Sequence, residues 1–171
     1  MNSGSVSRWD DPAALRRDHT AALRRVKQQG IIFSDDPQAR AAIREAFAKI
    51  FLALPDVVRN SSLSLLYPYE MSRQPPEIST CDGFSSVSEH FQNGRQVASI
   101  GISVEAIRRG PDYTALIALH ELAHITLDSR FAKGQHGGMF HLWLDYLLLE
   151  YNKFHGKNVR NDYFMGENEH E

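Results

Sequence analysis

The chain has 171 residues, of which 42% are hydrophobic and 23% are charged, values typical of one soluble globular domain. Its formal net charge of -2 gives no overall electrostatic reason to bind nucleic acid or an anionic membrane. One cysteine excludes an intramolecular disulfide framework and a zinc ribbon built from Cys-x-x-Cys pairs. The polar N-terminus is unlike a secretory signal, so we expect a cytoplasmic protein that does not contact a membrane.

Two helices are predicted in the N-terminal part of the chain, over about residues 12–54. Each begins at an aspartate followed by a proline, a typical N-cap and first-turn pair: Asp11-Pro12 and Asp36-Pro37. Apolar residues then recur at helical spacing, and the second helix has the broader apolar stripe. We therefore expect a first helix over about 12–29 and a second that ends before Pro55.

The middle of the chain predicts β-structure. An alternating apolar segment indicates a short strand, which Pro68 would restrict to a sheet edge or a strand end. Two further strands, over about 81–91 and about 96–104, flank Asn93-Gly94, the dipeptide that best suits a tight hairpin turn. We therefore expect a β-hairpin in this part of the chain.

Two more helices are predicted towards the C-terminal end, over about 112–128 and about 139–155, before a polar tail over about 157–171. No repeat and no long linker divides the sequence. Helices, then a small antiparallel sheet, then helices again are typical of the α+β class. We therefore expect one domain over residues 1–171, with the functional core over about 61–155.

The predicted helix over about 112–128 contains the pattern HExxH, formed by His120, Glu121 and His124. Positions i and i+4 share a helix face, so both imidazoles can bind one metal ion. Glu121 is rotated about 100° from His120, so it can reach a metal-bound water without being a ligand. Because the surrounding helix is strongly apolar, these polar side chains would be costly unless something satisfied them, which favours a metal site over packed core histidines.

A catalytic zinc ion takes three protein ligands and leaves a fourth position to water, so we expect a third ligand. His136 is the first candidate, because the glycines after it let the backbone fold back towards the metal. His141, at the start of the last helix, is an alternative ligand. The donor to the oxyanion is open among His141, Tyr146 and Tyr113. Asp128 and Glu150 are weaker candidates, and Asp128 also suits a hydrogen bond to a ligand imidazole.

The segment HELAH, followed about a dozen residues later by His-Gly-x-x-Phe at the head of a helix, resembles the SprT-like (Spartan-type) zinc metallopeptidases. The similarity covers about residues 80–155. It implies a minimal zincin-like domain with one zinc ion per chain, held by His120, His124 and His136. It also implies that Glu121 is the general base of peptide-bond hydrolysis.

The resemblance further implies a substrate strand, because in such zincins a strand before the active-site helix lies along the cleft and pairs with extended substrate. The matching stretch here is the second arm of the hairpin, whose outer face carries small residues: Ser99, Gly101 and Ser103. A backbone can approach closely where side chains are small. The alternative for this stretch is an ordinary half-buried strand.

Two features of the sequence bear on whether the partner is a protein or a nucleic acid. Family members that act on DNA-protein crosslinks often carry a zinc ribbon or a separate DNA-binding element, and Cys81 alone cannot build a ribbon. The first predicted helix carries basic residues that could contact phosphates: Arg16, Arg17, Arg24, Arg25 and Lys27. Such a run is more often a solvated face, so we expect a protein or peptide substrate rather than nucleic acid.

Three functions are consistent with the motif. The first is a zinc peptidase in which metal-activated water attacks the peptide bond and Glu121 takes the proton. The second is a binding module that keeps the zinc and the zincin fold but only holds a protein or nucleic-acid partner. Glu121 argues against it, because a structural site needs no general base. The third is a hydrolase of non-peptide substrates that uses the same residues.

Overall fold

The computed structural model describes most of the region between Ile31 and residue 161, in five stretches: residues 31–61, 63–71, 82–92, 95–127 and 137–161. Three predicted features lie outside them: the first helix over about 12–29, the Asn93-Gly94 turn, and the loop that contains Asp128 and His136. Those predictions stay predictions.

Strands and helices follow one another in the described stretches. In chain order they are β1 (Ile31–Phe33), α1 (Pro37–Ala53), α2 (Pro55–Asn60), β2 (Leu63–Met71), β3 (Gly83–Gln92), β4 (Arg95–Ser103), α3 (Val104–Arg108), α4 (Pro111–Thr126) and α5 (Gly138–His155). The three long helices agree with the predicted ones to within about two residues at each end. None of the helices described here is long and apolar enough to cross a membrane.

The four strands form one mixed sheet in the order β1-β2-β4-β3. β3 and β4 pair antiparallel, which confirms the predicted hairpin, and β1 pairs antiparallel with β2. β2 and β4 run parallel at the centre, so the prediction of an antiparallel sheet is wrong there, while the α+β class is confirmed. The physical reason is that residues 98–103 of β4 are buried on both faces, and a central position suits such a strand.

Two predictions about individual strands are also wrong. β2 is an inner strand despite Pro68, because β1 pairs with residues 69–71 and Ser34 N–H donates to the Pro68 carbonyl at 2.9 Å. β4 cannot receive a substrate strand, since β2 and β3 occupy both its edges. The small residues predicted to line the substrate are packed inside the fold instead: Ser99, Gly101 and Ser103.

α4 is the central helix of the fold. It packs against α1 and α5 as well as against β3 and β4. Residues 114–123 are buried along their whole length, and their apolar members belong to one hydrophobic core with residues of α1, α5 and the sheet. Gly110 is the N-cap of the helix and has a φ of 115°, which favours glycine, and Pro111 is the first residue of the helix. The HExxH residues therefore lie on a helix that is buried in the core of the described part of the chain.

Candidate metal centre

The HExxH side chains meet on the second half of α4. The Nε2 atoms of His120 and His124 are 3.0 Å apart, and Glu121 Oε2 is 3.8 Å from His120 Nε2. His120 is 5% exposed and Glu121 is 7% exposed, whereas His124 is half-buried. The structure thus brings His120, Glu121 and His124 together, as the spacing of the motif predicts.

These three side chains have the composition and spacing of a metal site. One nitrogen or oxygen from each lies within 4.8 Å of the others. Two imidazole nitrogens that bind the same tetrahedral zinc ion, each at about 2.0–2.1 Å, are about 3.4 Å apart. The observed Nε2–Nε2 distance of 3.0 Å would therefore have to increase only slightly. A bound cation would also offset the cost of burying a carboxylate beside two imidazoles. The donor atoms of His120, Glu121 and His124 therefore fit a site for a zinc ion.

Phe140, near the start of α5, covers one side of the histidine pair. Its ring stacks on His124 with centroids 4.4 Å apart and meets the edge of the His120 ring at 4.9 Å. Phe140 is only 1% exposed, so it acts as a packed wall that fixes the orientation of both imidazoles. The sequence identifies Phe140 only as the last residue of the His-Gly-x-x-Phe pattern. It does not indicate that the Phe140 ring contacts both histidines.

A hydrogen-bond relay joins α5 to α4 beyond the histidine pair. The indole N–H of Trp143 donates to Thr126 Oγ1 at 2.8 Å, and that hydroxyl donates to the Leu122 carbonyl at 2.7 Å. Thr126 lies two residues after His124, so the relay holds the end of α4 in place. It also ties down the first turns of α5, which carry Phe140.

Gly83 is a further neighbour that sequence analysis missed. A Cβ on this glycine would lie 3.0 Å from both Cγ and Oε2 of Glu121 and 2.6 Å from Cγ2 of Ile117. The start of β3 therefore approaches α4 more closely than any side chain would allow. No period, cap or turn signal in the sequence marks this glycine, because the contact joins segments that are distant along the chain.

The third ligand remains a prediction. Within the described residues, the metal-compatible group consists of His120, Glu121 and His124. His141 is half-buried on α5 with its ring 5.7 Å from that of Phe140, but it does not join this group. Glu150 lies further along the same helix and pairs with Lys153 at 3.9 Å.

Comparison of the chain with protein-family models, with curated proteins and with solved structures found no match. The resemblance to the SprT-like peptidases therefore rests on the motif residues alone. Any function has to be inferred from the chemistry of His120, Glu121 and His124 and from what surrounds them.

Proposed function

We propose that this protein is a zincin-like, zinc-dependent peptidase. The observation that carries the proposal is the side-chain group on α4, with two imidazole nitrogens 3.0 Å apart and a carboxylate oxygen 3.8 Å from one of them. His120 and His124 would hold the ion, with His136 as the third ligand. Glu121 would act as the general base.

The roles of these residues follow from their surroundings. When bound, a zinc ion supplies a water of lowered pKa and polarises the scissile carbonyl. Glu121 Oε2 lies 3.8 Å from His120 Nε2. This places the carboxylate next to the position that the ion would take, within reach of a water bound there, whose proton it would accept. The same carboxyl group can then deliver that proton to the leaving amine.

β3 is the strand that suits an extended substrate. It is the last strand of the described sheet, and β4 occupies its other edge. A peptide added to its outer edge would form main-chain hydrogen bonds and would pass close to Glu121, which Gly83 approaches. We therefore propose β3, in place of β4, as the substrate-binding strand.

The test compares the parent protein with Glu121→Gln, which keeps the shape of the side chain but removes its basicity. Both should contain about one zinc ion per chain. Cleavage of a reduced, unfolded protein should occur with the parent and fall at least about 100-fold in the variant. Equal cleavage by the two proteins would contradict the mechanism. Bound zinc without cleavage of any unfolded protein would support the binding module instead.

Measuring the zinc content of histidine variants would identify the third ligand. His136→Ala should abolish zinc retention, as should His120→Ala, because three protein ligands are needed for tight binding. His141→Ala should leave the zinc content close to that of the parent. The reverse result would assign the third position to His141.

A further inference from the structure

The start of β3 lies along one ridge of α4. Tyr113, Ile117 and Glu121 are spaced four residues apart, so they share one face of the helix. The hydroxyl of Tyr113 donates a hydrogen bond of 2.5 Å to Asp82 Oδ2, immediately before β3. The next residue, Gly83, faces Ile117 and Glu121. The strand and the candidate general base are therefore in direct contact.

The strand cannot easily move away from this ridge. The Asp82 carbonyl accepts a hydrogen bond of 2.9 Å from the backbone N–H of Ser103, at the end of β4. Tyr113, which holds the carboxylate of Asp82, is itself covered by the Arg109 guanidinium at 3.8 Å from its ring centroid. Asp82 is thus attached both to the sheet and to α4, and Gly83 follows directly.

A methyl group on Gly83 would press on two neighbouring side chains, one of them rigid and the other flexible. It would lie 2.6 Å from Ile117 Cγ2, and Ile117 is 1% exposed within the packed core. It would also lie 3.0 Å from Glu121 Oε2, which is the far end of a flexible side chain. The Ile117 contact is the shorter one, but Ile117 is held by the core and the strand is held by Asp82. The Glu121 side chain is therefore the neighbour that we expect to move.

We propose that Gly83 is a positioning residue for Glu121. By leaving room for the carboxylate while the strand stays anchored, it sets the place of that group against the histidine pair. The catalytic part of this proposal rests on the peptidase function, whereas the positional part does not. It also couples β3 to Glu121, so a substrate bound along the strand would be held in register with the base.

The first readout is structural and needs neither zinc nor activity. Crystal structures of metal-free Gly83→Ala and Gly101→Ala are compared with the parent. Gly101 is the matched control, because a Cβ there would meet Tyr67 Cε2 at the same 2.6 Å distance, on a different contact. In Gly83→Ala, Glu121 Oε2 should move by at least about 0.5 Å, which is the positional tolerance of a functional site. In Gly101→Ala it should stay in place. An unmoved carboxylate in Gly83→Ala overturns the proposal.

The second readout is kinetic. In Gly83→Ala, kcat should fall at least about 10-fold while KM stays within about twofold and zinc content is unchanged. Gly101→Ala should keep kcat within about threefold at a temperature below both unfolding midpoints. Equal losses of kcat in the two variants overturn the positioning role. If the parent cleaves nothing, the peptidase proposal fails, and the position of Glu121 still decides the role of Gly83.

A double variant covers the case in which Gly83→Ala does not fold. Adding Ile117→Ala removes the Cγ2 atom at 2.6 Å, the shortest contact of the new methyl group, and so gives that group space to move without displacing Glu121. The carboxylate should then return to its parent position, with kcat within about threefold of that of the Ile117→Ala single variant. A folded double variant whose carboxylate stays displaced contradicts the proposal.

Discussion

Replacement of Phe140 by alanine tests whether the aromatic wall holds the histidine pair in a metal-binding arrangement. The ring is 1% exposed and lies 4.4 Å from the His124 ring and 4.9 Å from the His120 ring. Its removal would leave a cavity beside both imidazoles and allow them to rotate. We therefore expect two separate losses, one in folding stability and one in zinc affinity.

The size of each loss follows from the contacts. Truncating a buried phenylalanine to alanine costs about 3–5 kcal/mol of unfolding free energy. Each aromatic pair contributes about 0.5–1.5 kcal/mol beyond burial. The two ring contacts of Phe140 therefore stabilise the observed orientation of the two imidazoles by about 1–3 kcal/mol in total. If that orientation is lost, zinc affinity falls by about 5- to 150-fold.

Two assays and one control separate these effects. Urea unfolding of the metal-free protein measures stability, and competition with a chelating dye measures zinc affinity. Leu144→Ala is the matched control, because Leu144 is 0% exposed on the next turn of α5 but has no ring to stack on an imidazole. It should lose about 2–5 kcal/mol of stability and keep zinc affinity within about twofold. The same loss of affinity in both variants would assign the effect to general loosening of α5.

Two further predictions concern the helices around the site. Thr126→Val should lower the free energy of unfolding in urea by about 0.5–1.5 kcal/mol, because the part-buried Trp143 indole N–H loses its acceptor; an unchanged midpoint would contradict the relay. Burial, with a smaller effect of the Asp112 carboxylate, raises the pKa of Tyr151 above its ordinary value of 10.0. Stability from this group is therefore complete below about pH 10 and is lost as the pH rises through the folded-state pKa. Tyr151→Phe should show a shallower decline in urea stability between about pH 9 and pH 11 than the parent, and parallel declines would argue against it.

The helices and the histidine pair could be predicted because their causes are local. Asp36 marks the start of α1, and its side chain accepts a hydrogen bond of 3.0 Å from the Gln38 N–H. The four-residue spacing of His120 and His124 predicts a shared helix face, and their Nε2 atoms indeed lie 3.0 Å apart. Both features depend on residues within one turn of each other, so a single sequence contains the whole signal.

The strand order could not be predicted in the same way. The small residues of β4 suggested an open face for substrate, yet Ser99 is 1% exposed and Gly101 lies against the ring of Tyr67. β2 and β3 flank β4, and that order depends on pairings between segments far apart in the chain. An alternating pattern shows which residues share a face but not which face is covered.

The local sequence therefore determines which side chains form the HExxH group, whereas the tertiary structure determines which residues surround that group. His120, Glu121 and His124 are adjacent because α4 is a helix. Gly83 and Phe140 reach them from β3 and α5, in opposite directions along the chain. No local period connects such segments, because only burial of a common core brings them together.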